Sequence, residues 1–326
     1  MKIAKLFWRL LRYRVAVMLI LFFLLSLSLH QKLTSNPVLI VLVCLSIALS
    51  YVSATSVNDI ADAKIDAINH ANSIGRPLIT GEGKKEDLIK VFAIASIASI
   101  AIAAFVNPWA LLIASCSILI NVLYSLPPIQ FSYRTFLAPI VLGIAYVGIP
   151  YSLGLAVSGS VLHKNDLLWL FGLYVMFIGR IILKDFRDRK GDAKFHKPTF
   201  LLRFGKNATC AFSYLSVVLG GSMLVWLTHS EIWLATITSL YLVTILAMLR
   251  RLQLSSEGQQ EQLSIGVGAK MGNGLLITLL CVFALKQSSA STETQILLAG
   301  VLALTFFVNF FSFLHRPEAA IIGYKG

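Results

Sequence analysis

Ten long apolar segments, separated by polar stretches, constrain the fold of this chain more than any other feature. Each is near the ~20 residues that an α-helix needs to cross a hydrocarbon core of about 30 Å. Charged residues make up 13% of the 326 residues, against roughly 25% in an average soluble domain. The pattern predicts an all-α, polytopic transmembrane bundle with spans at 15–32, 37–56, 88–106, 108–125, 136–157, 166–184, 207–228, 231–249, 268–286 and 294–314.

The basic residues predict the orientation of these spans. With the N-terminus inside, 24 Lys and Arg fall on the inner side and 3 on the outer side, with Arg180 inside a span. This bias is typical of cytoplasmic loops. The inner set counts Lys270 as a loop residue, and Arg316 and Lys325 as part of the tail. The net charge of +13 is therefore a topology signal of an integral protein of the cell membrane, and we expect no nucleic-acid partner.

The N-terminal stretch from Lys2 to Arg14 alternates basic with apolar residues, which suits the headgroup interface. The apolar run that follows from Val15 lacks a clear small-residue cleavage site, and further spans come after it. We therefore expect a retained first helix rather than a cleaved signal peptide.

Acidic residues are concentrated at two places, each directly after an apolar segment. Six of the eight Asp repeat one three-then-four spacing: Asp59, Asp62 and Asp66, then Asp185, Asp188 and Asp192. On a helix this spacing places each triplet on one face, where like charges repel. A bound cation would relieve the repulsion, and Mg²⁺ commonly bridges carboxylates to phosphate oxygens.

Cations surround both triplets, including Arg76, Lys184, Arg187 and Arg203. Carboxylates beside such cations can hold a metal ion and an anion together, and a diphosphate suits both. The apolar surroundings suggest that this diphosphate carries a lipid tail. Ionisable residues at the mouths of spans indicate function rather than packing.

The two loops that follow the triplets resemble each other. Arg76-Pro77 through Gly81 follows the first triplet, and Lys197-Pro198 through Gly205 follows the second. We interpret 37–106 and 166–228 as a weak internal repeat within a single domain over 1–326. Two such copies facing each other would build one site at their interface.

These motifs resemble those of the UbiA superfamily of intramembrane prenyltransferases. Asn58-Asp59-x-x-Asp62-x-x-x-Asp66 with Arg76-Pro77 is similar to its first aspartate motif, and Lys184-Asp185-x-x-Asp188-x-x-Gly191-Asp192 to its second. Tyr124-Ser125-Leu126-Pro127-Pro128 resembles a loop motif of the same superfamily. The resemblance covers the chain from about the first span to the seventh.

The resemblance implies helices around a central cavity and Mg²⁺-dependent transfer of a polyprenyl group from its diphosphate to a small acceptor. Carried over by position, it assigns the metal ions to Asn58, Asp62, Asp188 and Asp192. It makes Asp66 and Asp185 further ligands or orienting groups. The expected contacts of the diphosphate are Arg76, Tyr124 and Lys184.

The chain departs from the family pattern in three ways. No lysine follows Tyr124 closely, and Arg134 is the first cation after it, so we take Arg134 as a further candidate for the diphosphate. Ten spans are counted where the family usually has nine. His70 stands where relatives often have a basic or polar residue, and we interpret it as incidental.

Three alternatives remain to be compared with prenyl transfer. A cation-binding transporter would place acids at mid-membrane, but the spans 37–56, 88–106 and 136–157 contain no Asp or Glu. A CDP-alcohol transferase would need an Asp-Gly pair followed by Ala-Arg, which neither triplet has. Phosphoribosyl transfer to polyprenyl phosphate, known within the superfamily, stays open. The sequence does not identify the acceptor or the length of the prenyl tail.

Overall fold

A computed structural model describes residues 2–71 and 75–315, without the side chain of Lys2, so Arg316 and Lys325 of the predicted topology lie outside the described residues. The described chain folds into helices joined by turns and contains no β-strand. We number the α-helices in chain order: α1 Lys2–Leu11, α2 Tyr13–Leu29, α3 Pro37–Ala61, α4 Ala63–Asn69, α5 Lys85–Val106, α6 Pro108–Ser125, α7 Leu137–Gly143, α8 Ile149–Ser158, α9 Lys164–Ile181, α10 Asp185–Lys194, α11 Phe200–Thr228, α12 Ile232–Leu254, α13 Gln259–Gln287 and α14 Thr292–His315. Short 3₁₀ segments lie at Phe131–Tyr133 and Ile182–Lys184, and one π turn at Ile144–Gly148.

The predicted membrane architecture is confirmed. Within the described residues, nine helices are long and apolar enough to cross a bilayer, and a bent pair makes a tenth candidate span. That pair is α1 and α2, which meet at 65°. The bend is at Arg12, which has a φ of 40° in the left-handed region. The short amphipathic segment predicted at the N-terminus is therefore a separate helix, set at an angle to the first apolar one.

An asparagine followed by a proline begins two of the spans. The side chain of Asn36 accepts a hydrogen bond from the backbone N–H of Leu39, and Asn107 does the same for Ala110. These side chains satisfy backbone donors that a helix start leaves unpaired. Proline has no N–H and favours helical φ, so it suits the first position of a helix.

Small residues bring neighbouring spans together. A Cβ at Gly179 of α9 would lie 2.7 Å from the Cβ of Ser216 on α11, which only glycine permits. Between α3 and α5, Ser46 pairs with Ser99 at 3.0 Å and Ser53 with Ser96 at 2.8 Å. Close backbone approach and hydrogen bonds between small side chains are how helices associate in lipid, where there is no hydrophobic drive between them.

Both aspartate regions lie where a long helix is interrupted. Helix α3 ends at Ala61 and α4 begins at Ala63, with Asp62 between them at a φ of −95° and ψ of 11°. Between α9 and α10, the backbone tightens into the 3₁₀ segment before Asp185. The spacing of the first triplet predicts one continuous helix. That prediction is wrong, because the helix breaks at Asp62. The interruptions let the short helices α4 and α10 turn towards each other.

Helices α4 and α10 meet at a single glycine. The backbone N–H of Gly191 donates to the side-chain oxygen of Asn69 at 2.6 Å. A Cβ at Gly191 would lie 2.7 Å from both the Asn69 amide nitrogen and the carbonyl oxygen of Ile65. Only glycine therefore allows this approach, and it brings the two aspartate regions to the same end of the bundle.

Candidate active site

One cavity of about 650 Å³ lies between the helices and collects most of the residues predicted from the sequence. Its wall is apolar along α7 and charged where α4 and α10 face it, and Arg14 of α2 and Arg180 of α9 add two further cations among apolar side chains. Nine of the ten predicted site residues line it: Asn58, Asp62, Asp66, Arg76, Tyr124, Lys184, Asp185, Asp188 and Asp192. The structure thus brings the two motifs and the middle loop to one pocket.

Arg134 is the predicted site residue that the structure does not bring to the cavity. Its side chain is exposed, while its neighbours Ser132 and Thr135 line the pocket. The hydroxyl of Thr135 donates to the carbonyl oxygen of Pro198 at 2.6 Å, which fixes this turn against the second motif loop. Arg134 is therefore not among the residues that line the cavity, and its contact with a diphosphate stays a prediction.

Four residues of the first motif line the cavity, each about one helical turn from the next: Asn58, Asp62, Asp66 and Asn69. The amide nitrogen of Asn58 donates to Oδ2 of Asp62 at 3.2 Å. Asp59 does not line the cavity and is only 2% exposed. The triplet is therefore divided, because Asp59 faces into the protein while the other two aspartates face the pocket.

Asp59 holds two arginines that reach the cavity. Its carboxylate accepts from Nη2 of Arg12 at 2.6 and 2.8 Å and also bonds Arg76. Nη1 of Arg76 lies 2.7 Å from Oδ2 of Asp66, so the arginine bridges the buried and the cavity-facing carboxylates. Burial raises the pKa of Asp66 to about 7, although Arg76 opposes the rise. Asp59 therefore positions both guanidinium groups.

The second motif presents all three of its aspartates to the cavity. Nε of Arg187 donates to Oδ1 of Asp188 at 3.0 Å, and Nε2 of His70 lies 3.2 Å from the same oxygen. His70 also lies 3.9 Å from Asp66 across the gap between the motifs. Burial lowers the pKa of His70, which favours the neutral imidazole. His70 is therefore not incidental in position, since it touches both aspartate regions.

Two lysines complete the polar end of the cavity. Nζ of Lys197 lies 2.9 Å from Oδ2 of Asp62, and Nζ of Lys184 donates to the hydroxyl of Tyr124 at 3.1 Å. Burial acts to lower the pKa of Lys197, but Asp62 and its other negative neighbours outweigh this, so the pKa is raised. Lys197 was not predicted as a site residue. Its position in the Lys197-Pro198 pair, matching Arg76-Pro77 in the repeat, was the available signal.

The oxygen ligands that the cavity offers suit a hard divalent cation that binds carboxylates and a substrate phosphate together. Carboxylate oxygens from both motifs face the cavity, and Mg²⁺ prefers oxygen. Among residues 2–71 and 75–315, no three His, Cys, Asp or Glu side chains form a metal-binding group by themselves. Mg²⁺ commonly takes several of its ligands from water and substrate phosphates.

A family model described as the UbiA prenyltransferase family matches residues 19–274, which include every cavity residue of the two motifs. The chain belongs to this family. The match ends inside α13, so α14 and the end of α13 lie beyond the part that defines the family.

Similar curated UbiA relatives cover about half of this chain. Chloroplastic chlorophyll synthase of Oryza sativa subsp. japonica is 27% identical over 158 residues, 46% of this chain and 41% of that protein. Homogentisate phytyltransferase of Synechocystis sp. is 28% identical over 169 residues, 50% of this chain and 54% of that protein. The chain thus matches only about half, or less, of the length of these relatives.

Solved structures of UbiA proteins share the fold over nearly the whole chain. A structure of digeranylgeranylglyceryl phosphate synthase superimposes with a TM-score of 0.65 at 21% identity, over 87% of this chain and 99% of that one. A UbiA homolog from Archaeoglobus fulgidus, bound to DMAPP and Mg²⁺, gives a TM-score of 0.60 at 16% identity, over 97% and 98%. At these identities the likeness concerns the fold.

Proposed function

We propose that this protein transfers a polyprenyl group from a polyprenyl diphosphate to an acceptor in a Mg²⁺-dependent reaction. One observation carries the proposal: carboxylates from two separate motifs and the cations between them line one cavity among apolar helices. Such a cavity suits a ligand with a doubly charged head and a hydrocarbon tail. The Archaeoglobus fulgidus homolog bound to DMAPP and Mg²⁺ supports the same chemistry for this fold.

The residues divide by the charge that each would meet. Asn58, Asp62, Asp188 and Asp192 would hold Mg²⁺, with Asp66 and Asp185 as further ligands or orienting groups. Mg²⁺, when bound, neutralises the diphosphate and makes it a better leaving group. Arg76, Lys184 and Lys197 would donate to the remaining phosphate oxygens, and Tyr124 would orient Lys184 through the hydrogen bond between them.

The reaction needs the allylic C–O bond to break and the diphosphate to leave with the electron pair. The acceptor then forms a bond to the allylic carbon and loses a proton. Because negative charge grows on the leaving oxygen, fixed cations around it stabilise the transition state more than the bound substrate. The apolar wall around Tyr146 and Phe177 would hold the tail and limit the entry of water to the reactive carbon.

We also propose that the protein lies in the membrane with both aspartate motifs on the cytoplasmic side. The excess of Lys and Arg in the loops at the aspartate end of the bundle supports a cytoplasmic position for both motifs. A water-soluble prenyl diphosphate head would then reach the cavity from the cytoplasm.

The test uses purified protein in detergent with geranylgeranyl thiolodiphosphate, which resists ionisation. We expect binding that requires Mg²⁺, measured by thermal shift, and its loss in Asp62→Ala and Asp188→Ala. Glu293→Gln, an exposed acidic position at the start of α14, is the control and should bind as wild type. Prenyl transfer is then measured with labelled geranylgeranyl diphosphate and lipid extracts as acceptor source. Cation uptake into proteoliposomes, without any binding of the thiolodiphosphate, would contradict the proposal and favour a transporter.

A further inference from the structure

A second group of cations lines the cavity from outside the two aspartate motifs. The sequence predicts the ninth span at 268–286 and counts Lys270, near its start, with the inner-side cations. Helix α13 begins earlier, at Gln259, so Lys270 lies well inside it. Eleven residues at 1.5 Å per residue put Lys270 about 16 Å along the helix. An ammonium group at such a position inside a membrane-spanning helix is costly and commonly indicates function.

Among the residues that the structure describes, the surroundings of Lys270 do not neutralise it. Its Nζ lies 3.2 Å from the centre of the Phe313 ring, and among the described residues no carboxylate forms an ion pair with it. The charged group that acts on it is the guanidinium of Arg14, a like charge. The aspartates act instead on Lys184 and Lys197. Among the described residues, cations and carboxylates therefore face each other at the aspartate motifs, whereas Lys270 forms no ion pair with a carboxylate.

Polar groups extend this second group of cations along the cavity wall. Asn273 is one turn beyond Lys270 on α13 and accepts a hydrogen bond from Nη1 of Arg180 at 2.8 Å. Arg14, Arg180, Lys270 and Asn273 all line the cavity, together with the apolar side chains of Met18 and Phe313. The cavity-lining parts of α2 and α13 carry no acidic side chain. Arg14 and Lys270 carry like charges that act on each other, and an anion between them would relieve their repulsion.

We propose that Lys270 and Arg14, with Asn273, bind an anionic group of the acceptor, a carboxylate or a phosphate. The anion site itself does not depend on the proposed prenyl transfer. Only the identification of its ligand as the acceptor rests on that proposed function. The diphosphate of the donor takes the aspartate end of the cavity, and the acceptor anion takes this wall, so the two negative groups are held apart. Met18 and Phe313 then cover the apolar body of the acceptor.

The test uses three probes that share a decyl chain: decanoate, decyl phosphate and decanol. Binding to the purified full chain in a neutral detergent is measured by thermal shift and by intrinsic tryptophan fluorescence. We expect each charged probe to bind about tenfold more tightly than decanol, since hydrogen bonds to charged groups are stronger than neutral ones. The stronger of the two charged probes tells whether carboxylate or phosphate is preferred.

Variants locate the site of the charged probes. Lys270→Gln and Arg14→Gln should each lose the tenfold preference, whereas Lys270→Arg should keep it and decanol binding should not change. Arg14 is exposed, so Arg14→Gln decides the matter where Lys270→Gln does not fold. Lys164→Gln, which is exposed at the start of α9, is the control. Equal binding of the three probes, or unchanged preference in both variants, overturns the proposal.

A competition arm separates this proposal from the proposed function. Saturating geranylgeranyl thiolodiphosphate with Mg²⁺ should leave the binding of decyl phosphate unchanged, because the two occupy different regions. Displacement would show that decyl phosphate occupies the diphosphate region and would overturn the inference. Failure of the thiolodiphosphate to bind wild type contradicts the proposed function alone, since binding of the charged probes is measured without it.

Discussion

The ammonium nitrogen of Lys197 lies 2.9 Å from Oδ2 of Asp62, although the two residues are 135 positions apart in the chain. The contact joins the loop after the second aspartate motif to Asp62, where the chain breaks between α3 and α4 in the first motif. Lys197 also sits over the ring of Tyr133, at 5.5 Å from its centre. A cation at this place can neutralise Asp62 in the free protein. Because Lys197 also lines the cavity, it can bind a phosphate oxygen there.

Replacing Lys197 should therefore weaken binding of the donor. We expect Lys197→Gln to raise the KM for geranylgeranyl diphosphate about tenfold or more, because one charge-assisted hydrogen bond to phosphate is lost. Steady-state kinetics with labelled donor measures this. Lys194→Gln, three residues away and exposed, is the matched control and should behave as wild type. An unchanged KM in Lys197→Gln would mean that this lysine does not meet the diphosphate.

Asp59 should be a stability residue rather than a metal ligand. It is 2% exposed and pairs with Arg12 and Arg76, so Asp59→Ala leaves Arg12 without its carboxylate and Arg76 with Asp66 alone. We expect a loss of about 3 kcal/mol in the free energy of unfolding, which is typical for breaking a buried ion pair. Denaturation of the detergent-solubilised protein, followed by circular dichroism, gives the value.

A second variant distinguishes this role from direct metal binding. In Arg12→Gln combined with Asp59→Asn, the charges removed balance, so part of the lost stability should return relative to Asp59→Asn alone. Mg²⁺-dependent binding of the thiolodiphosphate should persist in any Asp59 variant that stays folded. Its complete loss in a folded Asp59→Asn protein would assign Asp59 to the metal site instead.

The contact between α4 and α10 should matter more for activity than for stability. In Gly191→Ala the new Cβ would lie 2.7 Å from backbone and side-chain atoms of Ile65 and Asn69, so the two short helices must move apart. We expect transfer activity to fall by about 100-fold, since small misplacements of catalytic groups cost this much. The thermal midpoint should fall by only a few degrees.

Gly300→Ala supplies the comparison for this variant. Nothing lies within 4 Å of a Cβ at Gly300, which is inside α14, and alanine is the better helix former. We expect this variant to keep full activity and at least wild-type stability. Equal activity of the Gly191 and Gly300 variants would show that the spacing of the two motifs does not limit catalysis.

The hydroxyl of Tyr124 should matter through Lys184. Removing it in Tyr124→Phe deletes the 3.1 Å hydrogen bond but keeps the ring, which lies 5.7 Å from the lysine ammonium. We expect kcat/KM for the donor to fall about tenfold, with the thermal midpoint nearly unchanged. Tyr214→Phe, at an exposed position on α11, is the control. Rates that agree within a factor of two for both variants would remove Tyr124 from the site.

The fold class and most of the site could be predicted from the amino-acid sequence. A helix that crosses lipid must be long and apolar, and its backbone must bond within itself, so each span is visible locally in composition. The aspartate motifs stand out for the same reason, because charge is rare in such a chain. These local requirements single out the aspartate motifs. The resemblance to the UbiA superfamily then gave the individual site residues, nine of which line one cavity.

The tertiary structure decided which charged neighbours face that cavity. Asp59 and Asp62 are three residues apart, yet the break at Asp62 sends one into the protein and the other to the pocket. Lys197 reaches Asp62 only after distant helices have packed. Spacing along a chain predicts a shared face only while the helix continues. Where it breaks, or where two helices meet, the direction of a side chain depends on contacts that no local pattern encodes.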